Sequence, residues 1–300
     1  MEFNFAKKNS KVYVGYVNAK EEDVYSCSFE NTYQHIPLEK MSDFWPAFTP
    51  ILVEQDGIKC GITEADLEDY PGMFLRINKK TRQGLIADFA PYPVEEVQGG
   101  HNNLQSLVVK RADYTAKTKG DRTFPWRVVI IADEDKDLLN NDMVYKLASP
   151  CRINDTSWIK PGKVMREVTL TTEGGKALVD FAVKRNLQYI HFDAGWYGFE
   201  YDKASDATTV TLDPRRNPKI DALNLKEVVA YAKQHGIGVM LYVNQRALQQ
   251  QLDEILPLYK SWGISGIKFG FVQVGSQVWT KWMHEAVKKC ADYGLMVDIH

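Results

Sequence analysis

Hydrophobic and polar positions change rhythm near the middle of the chain. Residues 11–17 (KVYVGYV) partly alternate, 106–110 (SLVVK) form a short β-branched run, and 126–132 (WRVVIIA) form another. A period near two with β-branched and aromatic side chains predicts strands. Pro and Gly punctuate the intervening stretches, and no helical period appears before residue 130. An antiparallel β-sandwich over 1–130 is the expectation, followed by a linker over 131–162.

From residue 163 the pattern becomes strand, helix, strand, helix. Strands are expected at 164–171, 188–193, 237–243, 264–271 and 295–300. Between them lie helical stretches at 174–186, 224–235, 247–262 and 276–293. Asn224 and Ser276 are the expected N-caps, and Pro257 is expected to kink or restart its helix. Sequential βα units with right-handed crossovers give a doubly wound sheet or a (β/α)8 barrel. The first strand-to-helix turn (TTEGG, 171–175) lacks GxGxxG and no GxxxxGK[ST] occurs, which disfavours nucleotide folds. The α/β region 163–300 therefore reads as the first five strands of a TIM-type barrel. With the fifth strand at its end, the chain reads as part of a longer protein.

Charge and composition narrow the class of function. The 300 residues carry 37 Lys+Arg against 39 Asp+Glu, a formal net charge of −2, so no basic surplus points to nucleic acid. The apolar run 236–243 is too short to span a membrane, so no membrane insertion is expected. Residues 1–5 (MEFNF) lack the basic and apolar regions of a signal peptide. Cys27, Cys60, Cys151 and Cys290 show no metal-binding spacing and read as unpaired buried thiols.

In βα architectures the reactive groups gather at the C-terminal strand ends. Those ends offer Arg166 and Glu167; Asp193 and Trp196; Asn244, Gln245 and Arg246; Lys268; and Asp298 and His300. Carboxylates, amides and a Lys hydrogen-bond hydroxyls, while a Trp face stacks on a sugar ring, so the set suits a polyhydroxylated ligand. The plainer readings are also open. Asp193 beside a glycine turn is a common turn former, and Trp196 packs as readily as it stacks.

Five runs carry a resemblance. GITEADLEDYPGM (61–73), PWR (125–127), DTSWIKPGK (155–163), DAGW (193–196) and GIKF (266–269) together resemble glycoside hydrolase family 97. The resemblance implies an exo-acting α-glycosidase for α-glucosides or α-galactosides, with a β-super-sandwich ahead of a catalytic (β/α)8 barrel. It also implies an oligosaccharide or α-glycoside partner, a Ca²⁺ cofactor with Glu64 among its ligands, and residence in the periplasm. Asp193, Trp196, Asn244, Gln245, Lys268 and His300 fall at positions expected to contact sugar. Relatives carry His or Glu where Asn244-Gln245 stands, which leaves the sugar open.

The resemblance also divides by mechanism. Retaining members place an Asp nucleophile in a Lys-x-Asp-Phe pattern, where this chain has Lys268-Phe269-Gly270-Phe271. With Gly270 at that position, inversion is the expectation, and space beside Gly270 is expected to admit a water. The acid and base are expected beyond His300. The alternatives are a retaining α-galactosidase with its nucleophile replaced, or a non-catalytic carbohydrate-binding relative.

Overall fold

The structure is a computed structural model of the 300-residue chain and describes residues 1–7, 9–17, 24–25 and 31–300. Cys27, read from sequence as an unpaired thiol, lies outside the described residues. The chain divides into two compact units. One comprises 1–96, 108–151 and 273–284, the other 97–107, 152–272 and 285–300. The division cuts across the expected order of sandwich, linker and barrel, because 97–107 and 273–284 each cluster with the other unit.

The first unit is built on antiparallel pairs. Its strands are β1 (Glu2–Asn4), β2 (Lys11–Val14), β3 (Gln34–Pro37), β4 (Ala47–Phe48), β5 (Ile51–Gln55), β6 (Ile58–Ala65), β7 (Met73–Ile77) and β8 (Gly84–Phe89). After β9 (Pro93–Gly99), the short turn α1 (Gly100–Asn103) and β10 (Gln105–Arg111) comes β11 (Trp126–Ala132). One sheet runs β1-β8-β7-β4, a second runs β11-β6-β5-β2-β3, and β9 pairs with β10. Alternation decides which side chains meet. Val12 and Val14, Ile51 and Val53, and Ile62 point from the second sheet onto Met73, Leu75, Ile77 and Leu85 of the first, all under 3 % exposed. Two four-to-five-stranded antiparallel sheets sharing one core make this a sandwich, as the period of two predicts.

Residues 131–162 were expected as linker, yet β11 runs to Ala132 and two helices follow, α2 (Asp135–Leu139) and α3 (Met143–Leu147). Both are single turns too short for a readable period.

The second unit alternates strand and helix: β12 (Val164–Glu167), α4 (Thr172–Lys184), β13 (Tyr189–Phe192), α5 (Leu225–Gln234), β14 (Gly238–Asn244), α6 (Gln245–Trp262) and β15 (Gly266–Gly270). Then come α7 (Gln277–Asp292), whose first half belongs to the first unit, and β16 (Met296–Ile299). The five strands form one parallel sheet in sequence order, β12-β13-β14-β15-β16. Asn224 caps α5 as expected, its side chain accepting from the Glu227 amide. Thr171 caps α4 and Asn244 caps α6 in the same way. At Gly175 a side-chain carbon would lie 2.9 Å from both Val228 methyls, so only glycine lets α4 approach α5 this closely.

Three local expectations differ. Helix α6 runs unbroken through Pro257, because the carbonyl it deprives of a donor, on Asp253, is on the exposed side where water serves it. Ser276 does not cap α7: its hydroxyl is buried with no hydrogen-bond partner among the described residues, while its carbonyl accepts from Thr280. Strand β12 stops at Glu167 rather than near 171. The Glu167 carboxylate accepts from the Thr169 and Leu170 amides at 2.8 and 2.7 Å and folds the chain into a turn. Of the other cysteines, Cys290 is buried, Cys60 half-buried and Cys151 exposed. Among the described residues no helix is long and apolar enough to cross a membrane.

Candidate active site

In a parallel sheet, register dictates which side chains share a face. Arg166 pairs with His191 and His191 with Met240; two residues further along, Tyr242 pairs with Lys268 and Lys268 with Asp298. Side chains alternate along a strand, so Arg166, His191, Tyr242, Lys268, Gly270 and Asp298 line one face toward the strand C-termini. The intervening residues, among them Ile190, Phe192, Val239, Leu241, Ile267 and Phe269, are buried on the other face. A sheet with apolar residues on one side and ionisable groups on the other presents its chemistry in one direction only.

Asp193, just past β13, is the centre of that polar face. Its carboxylate lies 3.5 Å from Lys268 Nζ and 3.4 Å from Arg166 Nε, and it accepts from the Ala194 amide at 2.7 Å. Burial pushes the carboxyl up, but the Ala194 N–H and the Lys268 charge outweigh it and hold Asp193 below the usual carboxylate range. Asp193 is therefore an anion at neutral pH, ready to accept hydrogen bonds. His191 is the opposite case. Burial drives its pKa down to about 4, against the pull of Asp193, so the imidazole is neutral at pH 7. Its Nε2 is buried without a hydrogen-bond partner among the described residues.

Beside this cluster stands a second carboxylate that sequence reasoning missed. Glu200, 7 % exposed, accepts from the Tyr242 hydroxyl at 2.7 Å and has Arg216 at 3.8 Å. Burial raises its pKa, the Tyr242 hydrogen bond and Arg216 opposing. Two neighbouring carboxyls are thus pushed in opposite directions, Asp193 down and Glu200 up. Glu200 lies in the long segment between β13 and α5, where no periodicity marks it.

Several sequence-predicted contacts sit elsewhere. Trp196, expected to wall a sugar, is fully buried. Its Nε1 donates to the Tyr242 carbonyl at 2.8 Å and its ring packs edge-on against Tyr197 and Tyr259. Asn244 is likewise fully buried, its amide oxygen capping α6 and its nitrogen donating to the Glu200 carbonyl. Gln245 begins α6 and is also fully buried. Arg246 donates to three carbonyls, of Asn103, Glu200 and Asp202, holding the long segment in place. These four support the fold around the polar face. Glu167 is buried in its turn, as described. His300 is exposed, its amide donating to the Phe269 carbonyl. Of the predicted sugar contacts, the structure brings Asp193 and Lys268 together, with Arg166.

The expected space at Gly270 is also filled. A side-chain carbon there would overlap the Tyr242 ring, lying 2.6 Å from Cζ and 2.8 Å from the hydroxyl oxygen. Tyr242 is 2 % exposed.

In the first unit, Glu64 was the expected calcium ligand. Its Oε1 accepts from the Met73 amide at 2.9 Å and its Oε2 pairs with Arg127 at 2.7 Å, both side chains 12 % exposed. Burial nevertheless leaves its pKa raised. Glu64 borders a pocket of about 210 Å³ whose walls include Leu67, Met73, Phe74 and Met283. A cation at Glu64 would lie against the Arg127 guanidinium, and no group of three or more metal-binding side chains occurs among the described residues. Glu64 brings one carboxylate to this place, and both of its oxygens are already engaged, by the Met73 amide and by Arg127.

Comparison with known proteins extends the geometry. The family model described as the glycosyl hydrolase 97 N-terminal domain matches residues 1–150, and that for glycoside hydrolase 97 matches 155–300. The chain belongs to glycoside hydrolase family 97. It is 34 % identical over 305 residues to a retaining alpha-galactosidase of Bacteroides thetaiotaomicron, covering 96 % of this chain and 44 % of that protein. It is 29 % identical to a probable retaining alpha-galactosidase of Streptomyces bingchenggensis, covering 63 % of this chain and 29 % of that protein. A family 97 enzyme of Pseudoalteromonas sp. strain K8, solved with acarbose, superposes with a TM-score of 0.77 at 21 % identity. That match covers all of this chain and 46 % of the other. At that identity it bears on the fold alone. This family 97 chain thus spans less than half the length of the relatives it matches.

Proposed function

We propose that the protein carrying this chain is an exo-acting α-glycoside hydrolase that acts on α-galactosides, or on α-glucosides as a second choice, with inversion at the anomeric carbon. The observation that supports it is the polar face at the C-terminal strand ends, where Asp193 is held between Lys268 and Arg166. A sugar ring presents donors and acceptors on adjacent carbons. An ionised carboxylate flanked by two fixed cations meets such a pair with charge-assisted hydrogen bonds. The names of the curated relatives favour α-galactosides.

In this reading Asp193 accepts from one sugar hydroxyl while Lys268 and Arg166 donate to its neighbours, fixing the ring against the sheet. Glu200 and Tyr242 hold the floor beneath it. The two proton-transferring groups are assigned to no residue of 1–300. The closed barrel is part of this proposal, since a parallel sheet in sequence order is what its first half requires. Calcium and periplasmic residence are carried by the resemblance alone, and a calcium ion would first have to take Glu64 from Arg127.

Inversion is favoured by Gly270, which brings no carboxylate to the end of β15. The relatives' designation as retaining favours the opposite outcome, so stereochemistry is the point to measure. The activity itself is tested by turnover of aryl α-galactosides and α-glucosides by the full-length protein. Hydrolysis of neither, with correctly folded protein, would leave the carbohydrate-binding reading in its place.

A further inference from the structure

The end of β15 is a place where two residues share one volume. Gly270 faces the same side of the sheet as Lys268, two positions earlier, and any side chain there would project onto the polar face. The Tyr242 ring already occupies that position. Beyond the overlap at Cε2, a Gly270 Cβ would lie 2.6 Å from its Cζ and 2.8 Å from its hydroxyl, closer than real side-chain contacts. Two further contacts hold the ring and a third holds its backbone. Its hydroxyl donates to Glu200 at 2.7 Å, its ring lies near-parallel to Tyr197 at 6.5 Å between centroids, and its own carbonyl accepts from Trp196. A side chain pinned at its tip, flank and backbone cannot swing aside for a newcomer.

We propose that Tyr242, rather than the lack of a side chain at 270 by itself, determines the displacement chemistry at this site, by plugging the position from which a nucleophile on β15 would act. Tyr242 is thus a positioning and specificity-determining residue, and Glu200 its anchor. This deepens the glycosidase reading above and rests on it for its chemical test. It also replaces the simpler picture of an open space beside a glycine. The plug excludes water and small anions from the end of β15, so a water that attacks the anomeric carbon must approach from elsewhere on the polar face.

Two experiments separate the plug from the glycosidase reading. The first needs no activity and uses the full-length protein. Gly270→Ala should lower Tm by several degrees in the wild-type background and by much less in a Tyr242→Ala or the milder Tyr242→Val background, because the clash is gone. Equal losses in all backgrounds would overturn the plug. The second uses 2,4-dinitrophenyl α-galactoside with sodium azide. The aryl oxide leaves as its anion without a proton donor, the C1–O bond breaks, and a C1–N bond to azide forms in the opened space. Tyr242→Ala or Tyr242→Val should yield β-galactosyl azide, with turnover at least tenfold above the azide-free rate. Wild type and Tyr242→Phe, which keeps the ring, should yield none. Azide product from wild type, or none from folded truncation variants while wild-type hydrolysis persists, would overturn the proposal. Absence of wild-type hydrolysis would count against the glycosidase reading, and the Tm comparison would still decide the plug.

Discussion

The two units each bury a carboxylate beside cations, and put the pairing to different use. In the sandwich, Glu64 and Arg127 sit on neighbouring antiparallel strands, register partners of β6 and β11. Each is the other's main charged partner, the Met73 amide takes the remaining oxygen, and Glu64's pKa is raised because burial outweighs these contacts. In the parallel sheet, Asp193 has two cations at longer range and its pKa is lowered. The first arrangement is saturated and internal to the fold. The second leaves hydrogen-bonding capacity on a face the strand ends present together. The difference teaches that a buried ion pair marks a site only when its partners have capacity left over.

That contrast can be broken by experiment. Arg127→Met in the full-length protein should have the largest effect, about 4 kcal/mol of lost stability, because it strands the Glu64 charge in the interior. Chemical denaturation checks it, and a loss below about 1 kcal/mol would mean the sandwich pair is as solvated as a surface one. Lys268→Ala should act the other way round. Asp193 keeps Arg166 and the Ala194 amide, so the stability loss should be smaller than for Arg127→Met, about 1–2 kcal/mol, while kcat/KM for an α-galactoside falls about 100-fold. A large stability loss with unchanged kinetics would make the polar face structural.

His191 sharpens the comparison through pH. A histidine whose folded pKa lies near 4, below its ordinary 6.5, binds fewer protons folded than unfolded between those values. Its contribution is therefore fully present above pH 6.5 and is lost as pH falls toward 4. Stability should drop by about 2 kcal/mol over that window, and His191→Gln should flatten the drop. Urea midpoints at pH 7 and pH 4.5 for both proteins are the measurement, and parallel curves would show that His191 is not buried in its neutral form. The smallest effect belongs to Ile131, 71 % exposed on β11, where replacement by Thr should move stability by less than about 0.5 kcal/mol.

Much of the frame was legible in the sequence, and the reasons are local. Asn224 caps α5 because a short polar side chain ahead of an apolar i, i+3, i+4, i+7 run has few other uses. Strand β11 matches its predicted span because a seven-residue β-branched run needs no tertiary help. The site was only half legible. Asp193 and Lys268 were found because they stand at strand ends. Glu200 was not, since its segment has no period and its role arises only when Tyr242 reaches it. Trp196 and Asn244 were misplaced because a strand-end position alone does not say which way a side chain turns. Tyr242 stands within the apolar strand expected at 237–243, and nothing in that pattern singles it out. Only the parallel register, which sets it beside Lys268 and over Gly270, gives it a role.

The stereochemistry of the first turnovers bears most directly on the whole account. Proton NMR of an α-galactoside during the first minutes of hydrolysis by the full-length protein resolves the anomer released before mutarotation. With Gly270 lacking a carboxylate and Tyr242 filling its place, single displacement predicts β-galactose as the initial product. Initial release of α-galactose would contradict that prediction and require a nucleophile elsewhere on the polar face.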